Sequence, residues 1–313
     1  MEANCCLFAM GSPSPLGVEC CGDDVNVAVY APDASHVYIV FFQPDTEELV
    51  AKIELSFRTG NTFHGLIADV NLQWIYAIQT SQQPQCDSHD KTEGKQKASL
   101  INDKLLIDPY AKSFNRPLIW NQVLYTNSNP AFIPKAHIKT AKFDWQGIQK
   151  PIIDTQEMVL YELHVKGFTQ LFPELNSDLA GTYIGLSQLE VIQYIKSLGV
   201  TTIQLMPVFY FMSEPRLTEM NLSNYWGYNP INYFAPDPRY ATSEDAVSEF
   251  KTMVREFHKH GLQVIIDVVY NHTAEGGEAG PVLSYKAFAE HEFYLRDNKA
   301  DDFNYANYSG CGN

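Results

Sequence analysis

The chain has 313 residues, a length typical of about two domains. It has 22 Lys and Arg residues and 37 Asp and Glu residues, which give a formal net charge of −15. Such an acidic chain is a poor candidate for binding nucleic acid or an anionic membrane, because the phosphate groups would repel it. The 45% hydrophobic and 13% aromatic content is ample for a packed core and excludes global disorder, and no apolar run approaches the ~20 residues of a membrane span.

The N-terminal segment and the six cysteines bear on the cellular compartment. The apolar stretch Cys5–Met10 is short and no Lys or Arg precedes it, so we predict no secretory signal. Cys86 and His89 are the only close pair with metal-ligand spacing, and no second pair accompanies them, so neither zinc nor another cofactor is predicted. We therefore expect reduced thiols and a location in the cytoplasm, or in the plastid stroma if the source is a plant.

Residues 1–110 show the alternation of short strands separated by turn signals. The candidate strands are Val25–Tyr30, Val37–Phe42, Ile53–Phe57, Phe63–Ile67 and Trp74–Ile78. Strands at this spacing predict an all-β sandwich as the first domain. The polar residues 79–97 predict an exposed loop, and the prolines spread over residues 111–156 predict a linker.

From residue 157 onward the pattern changes to alternating strands and helices. Three mostly apolar runs are predicted as buried strands: Met158–Val165, Thr201–Pro207 and Leu262–Val269. Two amphipathic helices lie between them, so the strands should form a parallel sheet.

The predicted helices have recognisable start signals. Ser187 and Glu190 form a capping-box pattern before the first helix, and Thr242 or Ser243 is predicted to cap the second. Glycines at positions 199 and 261 are predicted to end the two helices.

The connections in this region are of unequal length. Helix-to-strand connections are very short, whereas strand-to-helix connections run to about 20 and about 35 residues, far beyond the usual range. Long loops at the carboxyl ends of parallel strands favour a (β/α)8 TIM barrel. A doubly wound sheet is the alternative, although no G-x-G-x-x-G follows its first strand. Because a barrel has eight strands, residues 157–313 are expected to form only its first three βα units, a truncated barrel.

Three features in the predicted loops could carry chemistry. Asp267 is a carboxylate inside an apolar strand, which suits either a salt bridge between strands or a functional site. His272 follows that strand and is either a surface histidine or a ligand-binding residue. The segment Ser223–Pro230 combines aromatic residues with a glycine, a pattern that suits either simple loop packing or contact with a flat ligand such as a sugar ring.

A family resemblance emerges from several of these segments. Asp267–His272 (DVVYNH) resembles the first sequence fingerprint of the α-amylase superfamily, family 13 glycoside hydrolases. Further segments are similar to isoamylase-type glycogen and starch debranching enzymes: Val159–Thr169, Gly181–Tyr183, Leu205–Val208, Glu214–Leu217, Ser223–Pro230 and Asn304–Asn313. Pro15–Gly17, Val29–Pro32 and Leu106–Tyr110 resemble the starch-binding β-sandwich that precedes the barrel in these enzymes.

The resemblance implies roles for individual residues. It implies that Tyr228 is the stacking platform under the sugar in the cleavage subsite, that His272 donates a hydrogen bond to that sugar, and that Asp267 orients an arginine beside the nucleophile. Asn271 matches a calcium ligand of true α-amylases, a site that debranching relatives often lack, so no metal is predicted. The family reaction is a retaining double displacement. Its nucleophile, acid/base and transition-state stabiliser are expected beyond Asn313, so no catalytic residue is assigned.

Two hypotheses of function remain from the sequence. The first is the N-terminal part of an α-1,6-glucosidase acting on a branched α-glucan such as glycogen, amylopectin or a limit dextrin, the 313 residues alone being inactive. The second is a non-catalytic α-glucan-binding or regulatory protein. The reading frame downstream of Asn313 would discriminate between them.

Overall fold

The computed structural model describes residues 6–82, 104–125, 129–138, 142–277, 279–296 and 305–310. The chain divides into two compact units: unit 1 comprises Met1–Lys139, Ile231–Tyr233 and Asn271–Asn313, and unit 2 comprises Thr140–Pro230 and Phe234–Tyr270. The predicted exposed loop at residues 79–97 is wrong for residues 79–82, which belong to the strand Ile75–Gln82 and include the buried Gln79 and Thr80. The rest of that loop, the Cys86–His89 pair and Cys311 lie outside the described residues. Within the ranges described, no helix has the length and apolar character that a membrane crossing requires.

Unit 1 contains two antiparallel sheets. The strands of the first are β1 (Cys6–Ala9), β2 (Gly17–Cys21), β3 (Asp24–Tyr30), β6 (Phe57–Thr59) and β7 (Thr62–Ala68). In this sheet β7 pairs with β1, β3 and β6, and β2 pairs with β3. The second sheet has the order β5 (Leu49–Glu54), β4 (Ala34–Phe42), β8 (Ile75–Gln82) and β9 (Ala136–His137).

Alternate side chains of the two sheets contribute to the core of unit 1. Val25 and Val27 of β3 and Val37, Ile39 and Phe41 of β4 are all 0% exposed. Side chains two residues apart in a strand share a face, so Val25 and Val27 point to the same side of β3. The intervening Asn26 and Ala28 are buried as well, so β3 is covered on both faces. The predicted strands at residues 25–30, 37–42, 63–67 and 74–78 are confirmed as β3, β4, β7 and β8, with slightly different bounds.

The predicted strand Ile53–Phe57 is wrong as a single element. The chain leaves the second sheet after Glu54 and joins the first sheet at Phe57. Between them the amide of Leu55 donates to the carbonyl of Val37 (2.8 Å) and the Leu55 side chain is buried. The apolar pattern therefore spans a crossing between two sheets.

Unit 1 also includes segments far along the chain. The amide of Ile107 donates to the carbonyl of Leu283 at 2.8 Å, and Ser284 Oγ donates to the carbonyl of Ile107 at 2.8 Å. These bonds join the segment around residue 107 to the start of α6 (Tyr285–Phe293). The compact units thus divide the chain differently from the sequence boundaries at residues 110 and 156, and those boundaries stay predictions.

Glu47 is the centre of a polar cluster that the first 110 residues alone would not complete. Its carboxylate accepts from Asn115 Nδ2 (2.8 Å), Arg116 Nε (2.7 Å) and the Nζ of the buried Lys135. Burial opposes ionisation, but these hydrogen bonds and charges outweigh it and lower the pKa of Glu47 to about 2.

We therefore expect a fragment of residues 1–138 to be at least about 2 kcal/mol more stable than a fragment of residues 1–110, because only the longer one satisfies Glu47 and contains β9. Urea unfolding followed by far-UV circular dichroism measures the difference. The advantage should shrink as the pH falls from about 4.5 towards 2, where Glu47 becomes protonated. Equal unfolding midpoints at neutral pH would contradict this expectation.

Unit 2 is built on a parallel sheet with the strand order β10 (Leu160–Leu163), β11 (Thr202–Leu205) and β12 (Gln263–Ile266). Its helices are α1 (Val165–Thr169), α2 (Tyr183–Leu186), α3 (Leu189–Ser197), α4 (Pro215–Glu219) and α5 (Ala246–Lys259). Short 3-10 turns occur in the chain at Gln122–Tyr125, Thr155–Glu157 and Pro238–Tyr240. The predicted βαβαβ order and the parallel sheet are confirmed.

Both predicted helix caps are wrong, although both helices form. Ser187 closes the preceding helical turn instead, since its Oγ donates to the carbonyl of Ile184 at 2.7 Å. The cap of α5 is Asp245, whose carboxylate accepts from the amide of Ser248 at 2.9 Å. The side chains of Thr242 and Ser243 have other partners: the Thr242 hydroxyl donates to the carboxylate of Glu249 at 2.8 Å, and Ser243 Oγ accepts from the amide of Asp245 at 3.3 Å.

The prediction of three buried strands is correct only for the central one. In β11, Thr202, Ile203 and Leu205 are 0% exposed. The two outer strands are partly exposed to solvent: Leu160 of β10 is 45% exposed and Ile265 of β12 is 38% exposed. The helices pack on the face that carries Leu163, Ile203 and Leu205, and this packing covers the outer strand β12 only in part, since Ile266 on the same face is 37% exposed. The opposite face of the sheet carries the exposed Leu160 and Ile265 together with the polar Glu162 and Gln204.

Candidate functional site

The residues of interest in unit 2 follow the carboxyl ends of the parallel strands. We call residues 223–230, which lie in the long connection after β11, the aromatic loop. Asn229 fixes its end, because its amide side chain donates to the carbonyl of Met212 (2.8 Å) and its own carbonyl accepts from the amide of Met212 (3.0 Å). Asn224 fixes its beginning, donating from its backbone amide to Ser213 Oγ at 3.0 Å and from Nδ2 to Glu214 Oε1 at 2.9 Å. The loop is thus held at both ends.

Gly227 is required by the backbone of this loop. Its φ angle is +85°, and a Cβ atom at this position would lie 2.9 Å from the carbonyl oxygen of Pro207. Only glycine tolerates both the left-handed conformation and the close approach. The tight turn exposes the rings that flank it: Tyr225 is 47% and Trp226 is 62% exposed.

Tyr228 and Asp267, two of the three predicted binding residues, are in direct contact. The Tyr228 hydroxyl donates to Asp267 Oδ2 at 2.5 Å. Asp267 immediately follows β12, and its amide continues the strand ladder by donating to the carbonyl of Leu205 at 3.0 Å. Burial and the neighbouring carboxylate raise the pKa of Tyr228, so its phenol stays protonated as the donor. The contact fixes one ring of the aromatic loop to the end of the sheet.

A second carboxylate lies close to this pair and was not predicted. Glu162 of β10 accepts from Gln204 Nε2 of β11 at 3.2 Å, and its charge contributes to raising the pKa of Tyr228. Glu162, Gln204 and Ile265 are opposite one another in the register of the sheet. The alternation in β10 could have found Glu162, since it shares a face with the exposed Leu160.

An ion pair that sequence reasoning also missed supports the start of the long connection. Asp237 is 0% exposed, and its carboxylate accepts from Arg239 Nε (2.8 Å) and Nη2 (2.7 Å) and from the amide of Phe211 (3.2 Å). The guanidinium lies 3.6 Å from the centroid of the Phe211 ring and donates to the Phe211 carbonyl at 2.6 Å. Such a bidentate, stacked arrangement fixes the backbone around Phe211.

His164 is a further residue that the sequence did not single out. It precedes α1, where its Nδ1 accepts from the amide of Gly167 at 2.9 Å. The Nε2 proton is thereby assigned, and it donates to the hydroxyl of Tyr240 at 3.1 Å. The Tyr225 ring stacks on the imidazole with centroids 4.4 Å apart and planes 21° from parallel.

We expect unit 2 to lose stability as the pH falls below about 6.5. Burial, with a contribution from the Lys166 charge, lowers the pKa of His164 below its ordinary value. The unfolded chain therefore takes up a proton at a higher pH than the folded chain, so acidification favours unfolding. Denaturant midpoints measured between pH 7.5 and pH 5.5 test this, with His164→Asn as the comparison, since it keeps a cap acceptor but does not titrate. The same pH dependence in both proteins would show that His164 is not its source.

His272, the third predicted binding residue, belongs to unit 1. Its carbonyl accepts from the hydroxyl of Tyr233 at 3.2 Å, and its Nδ1 lies 3.0 Å from Asn271 Nδ2. The imidazole is partly exposed. The segment after it is anchored by Glu275, which is 0% exposed and accepts from the hydroxyl of Tyr294 at 2.8 Å. The role of His272 as a sugar-binding residue stays a prediction.

In the ranges of the chain for which structure is given, no three His, Cys, Asp or Glu side chains form a group that could hold a metal ion.

Comparison with known families agrees with this arrangement of a sandwich followed by a parallel sheet. Residues 15–111 match carbohydrate-binding module 48, the isoamylase N-terminal domain, and residues 167–309 match the alpha amylase catalytic domain. The chain thus carries a region similar to the catalytic domain of the α-amylase superfamily after a region similar to an isoamylase N-terminal module. Both the predicted sandwich of the starch-binding type and the family resemblance are confirmed.

Relatives and solved structures extend over nearly all of the chain. It is 36% identical to a glycogen debranching enzyme of Klebsiella pneumoniae and 35% identical to one of Yersinia enterocolitica, over 98% and 97% of its length. It spans 46% and 45% of those two proteins. Among solved structures, a pullulanase of Anoxybacillus sp. LM18-11 complexed with maltotetraose is 25% identical with a TM-score of 0.68, covering 98% of this chain and 41% of the pullulanase.

Proposed function

We propose that this chain forms the N-terminal part of an isoamylase-type debranching enzyme, a retaining α-1,6-glucosidase. Its substrates would be branched α-glucans such as glycogen, amylopectin or limit dextrins. The observation that carries the proposal is the contact between Tyr228 and Asp267 at the carboxyl end of the parallel sheet. The fingerprint residues of two separate segments meet there, as they must if both serve one sugar subsite.

In this proposal residues 1–110 form the glucan-binding sandwich and residues 157–313 the first three βα units of a (β/α)8 barrel. Residues 111–156 form a linker that also contributes β9 and the hydrogen-bond partners of Glu47 to unit 1. The half-exposed outer strands support the last point, since apolar residues such as Leu160 and Ile265 would be covered by further strands in a closed barrel. The 45–46% coverage of the two relatives also supports it.

The residues of this chain would bind and orient the substrate. Tyr228 would support one face of the sugar in the cleavage subsite, and the hydrogen bond to Asp267 would fix the angle of its ring. Asp267 would keep a second acceptor oxygen for an arginine beside the nucleophile, and His272 would donate a hydrogen bond to the same sugar. The nucleophile and the acid/base of the double displacement would come from residues that follow position 313.

The proposal places the enzyme in the cytoplasm, or in the plastid stroma if the source is a plant, where both of the adjacent cysteines Cys20 and Cys21 would stay reduced. Cys21 is a free thiol, and the thiol of Cys20 donates to the carbonyl of Ile138.

The decisive experiment compares the 313-residue chain with the polypeptide encoded when the reading frame is followed past Asn313. The longer protein should release reducing ends from a branched limit dextrin and leave a linear maltooligosaccharide of the same size unchanged. The 313-residue chain should be inactive on both, because acid/base assistance alone is worth ~10²–10⁴-fold and the nucleophile is missing as well. A stop codon after Asn313 would favour the non-catalytic glucan-binding alternative. Hydrolysis by the 313-residue chain would overturn the proposed mechanism.

A further inference from the structure

We infer that Tyr225, supported by His164, is a second sugar-stacking platform of unit 2, separate from Tyr228. The inference rests on the proposed function for its ligand, a glucose unit of an α-glucan chain. It assigns that ligand to a ring for which the family resemblance implied no role.

The first observation is that the Tyr225 ring is held rigidly on one side. It lies face to face on the imidazole of His164, with centroids 4.4 Å apart. That imidazole is 9% exposed and is itself fixed by hydrogen bonds to the amide of Gly167 and to the hydroxyl of Tyr240. Tyr240 is 4% exposed and packs edge-on against both His164 and Tyr183. The support under Tyr225 is therefore part of the core.

The second observation is that Gly167 has no side chain at the point where the Tyr225 hydroxyl approaches the backbone. A Cβ atom on Gly167 would lie 2.8 Å from the hydroxyl oxygen of Tyr225. Gly167 has no positive φ angle, so backbone conformation does not explain glycine at this position. The absence of a side chain there lets the phenol lie over the first turn of α1.

The third observation is that Tyr225 remains 47% exposed although the imidazole covers one face of its ring. The exposed area must then come mainly from the opposite face and the ring edge. An aromatic face carries negative charge density, and the C–H groups on a pyranose face are apolar and weakly positive, so the two surfaces are complementary. A ring already fixed in place loses little conformational entropy on binding.

The fourth observation concerns the neighbours. Trp226 is 62% exposed and meets Tyr228 edge-on, with centroids 6.5 Å apart. The aromatic loop thus carries Tyr225, Trp226 and Tyr228 along one short segment, of which Tyr228 is bonded to Asp267 and Tyr225 is stacked on His164. Two independently anchored rings suit a ligand with repeating flat units, such as an oligosaccharide.

The test measures the binding of maltohexaose to the 313-residue chain. Binding is monitored by the fluorescence emission of Trp226, which is the emission of the unsubstituted chain minus that of a Trp226→Phe protein. Tyr225→Ala should raise the Kd about tenfold, whereas Tyr225→Phe, which keeps the ring, should stay within twofold. Tyr194→Ala is the matched control, because Tyr194 is 48% exposed in the same unit but packs against Phe168 and Phe172.

Two variants of His164 separate support of the ring from general stability. His164→Phe keeps a ring face under Tyr225 but loses both hydrogen bonds, whereas His164→Asn keeps a cap acceptor and loses the face. Maltohexaose should bind more tightly to His164→Phe than to His164→Asn, whichever of the two has the higher Tm. Affinities that follow Tm instead would show a merely structural role for His164.

The inference is overturned if Tyr225→Ala binds within twofold of the unsubstituted chain, or if the unsubstituted chain shows no maltohexaose-dependent change at millimolar concentrations. Failure of the proposed function has a different signature, namely a longer polypeptide that does not cleave branch linkages. A longer enzyme that debranches normally with Tyr225→Ala would leave the proposed function standing and remove only the second platform.

Discussion

Replacing Tyr228 by Ala in the longer, hydrolytically competent polypeptide should lower kcat/KM for a branched dextrin at least about tenfold, which corresponds to about 1.4 kcal/mol of transition-state stabilisation. The substitution removes the ring face proposed to support the sugar. It also leaves Asp267 without the hydroxyl that donates to it at 2.5 Å. Steady-state kinetics with a defined branched oligosaccharide measure the effect.

Tyr228→Phe distinguishes the two contributions. It keeps the ring and removes only the hydrogen bond to Asp267, so its kcat/KM should lie between the values of the wild type and Tyr228→Ala. His272→Ala, which removes the proposed hydrogen bond to the sugar, should also cost at least about tenfold. Wild-type kinetics in both alanine variants would show that the assignments in these two loops are wrong.

Asp237→Ala should destabilise unit 2 by about 2–4 kcal/mol. The carboxylate is 0% exposed and neutralises Arg239, whose side chain is 29% exposed, so its removal leaves a largely enclosed guanidinium with no counter-charge. It also removes the acceptor of the Phe211 amide. Urea unfolding of the 313-residue chain measures the change.

Glu256→Ala is the comparison for this prediction. Glu256 pairs with Arg255 at 3.4 Å and with the exposed Lys259 at 3.2 Å, so its loss should cost no more than about 1 kcal/mol. Asp237→Asn should fall between the two alanine variants, because an amide oxygen can still accept from the Phe211 amide. If Asp237→Ala and Glu256→Ala had equal midpoints, the ion pair would not be the anchor inferred for this connection.

The secondary structure was largely predictable because its signals are periodic and local. The alternation of β3 and the apolar face of α5 are carried by residues a few positions apart, and the structure confirms both elements. Glycines mark the ends of helices for a similarly local reason: Gly199 and Gly261 have φ angles of +80° and +79°.

Features that depend on distant partners were missed. Asp237 lies in a segment without periodicity, and its partner Phe211 is 26 residues away. His164 falls inside an apolar run that predicted only a strand, yet it caps α1 and stacks on Tyr225, 61 positions along the chain. The cap of α5 was misplaced because the Thr242 hydroxyl binds Glu249 within the helix and Ser243 Oγ binds the amide of Asp245, which itself caps the helix. In each case a local pattern was compatible with more than one hydrogen-bond partner.

The discontinuous make-up of unit 1 has a kinetic consequence. Lys104, which is 1% exposed, donates from Nζ to the carbonyl of Val282, and these residues are 178 positions apart. At ~5–20 residues per second, a ribosome needs roughly 10–35 s to travel between them. During that interval the ammonium group lacks one of its final acceptors while all of unit 2 is being synthesised. Because loop closure is easier when the intervening chain is already compact, prior folding of unit 2 would shorten the effective loop and hasten completion of unit 1.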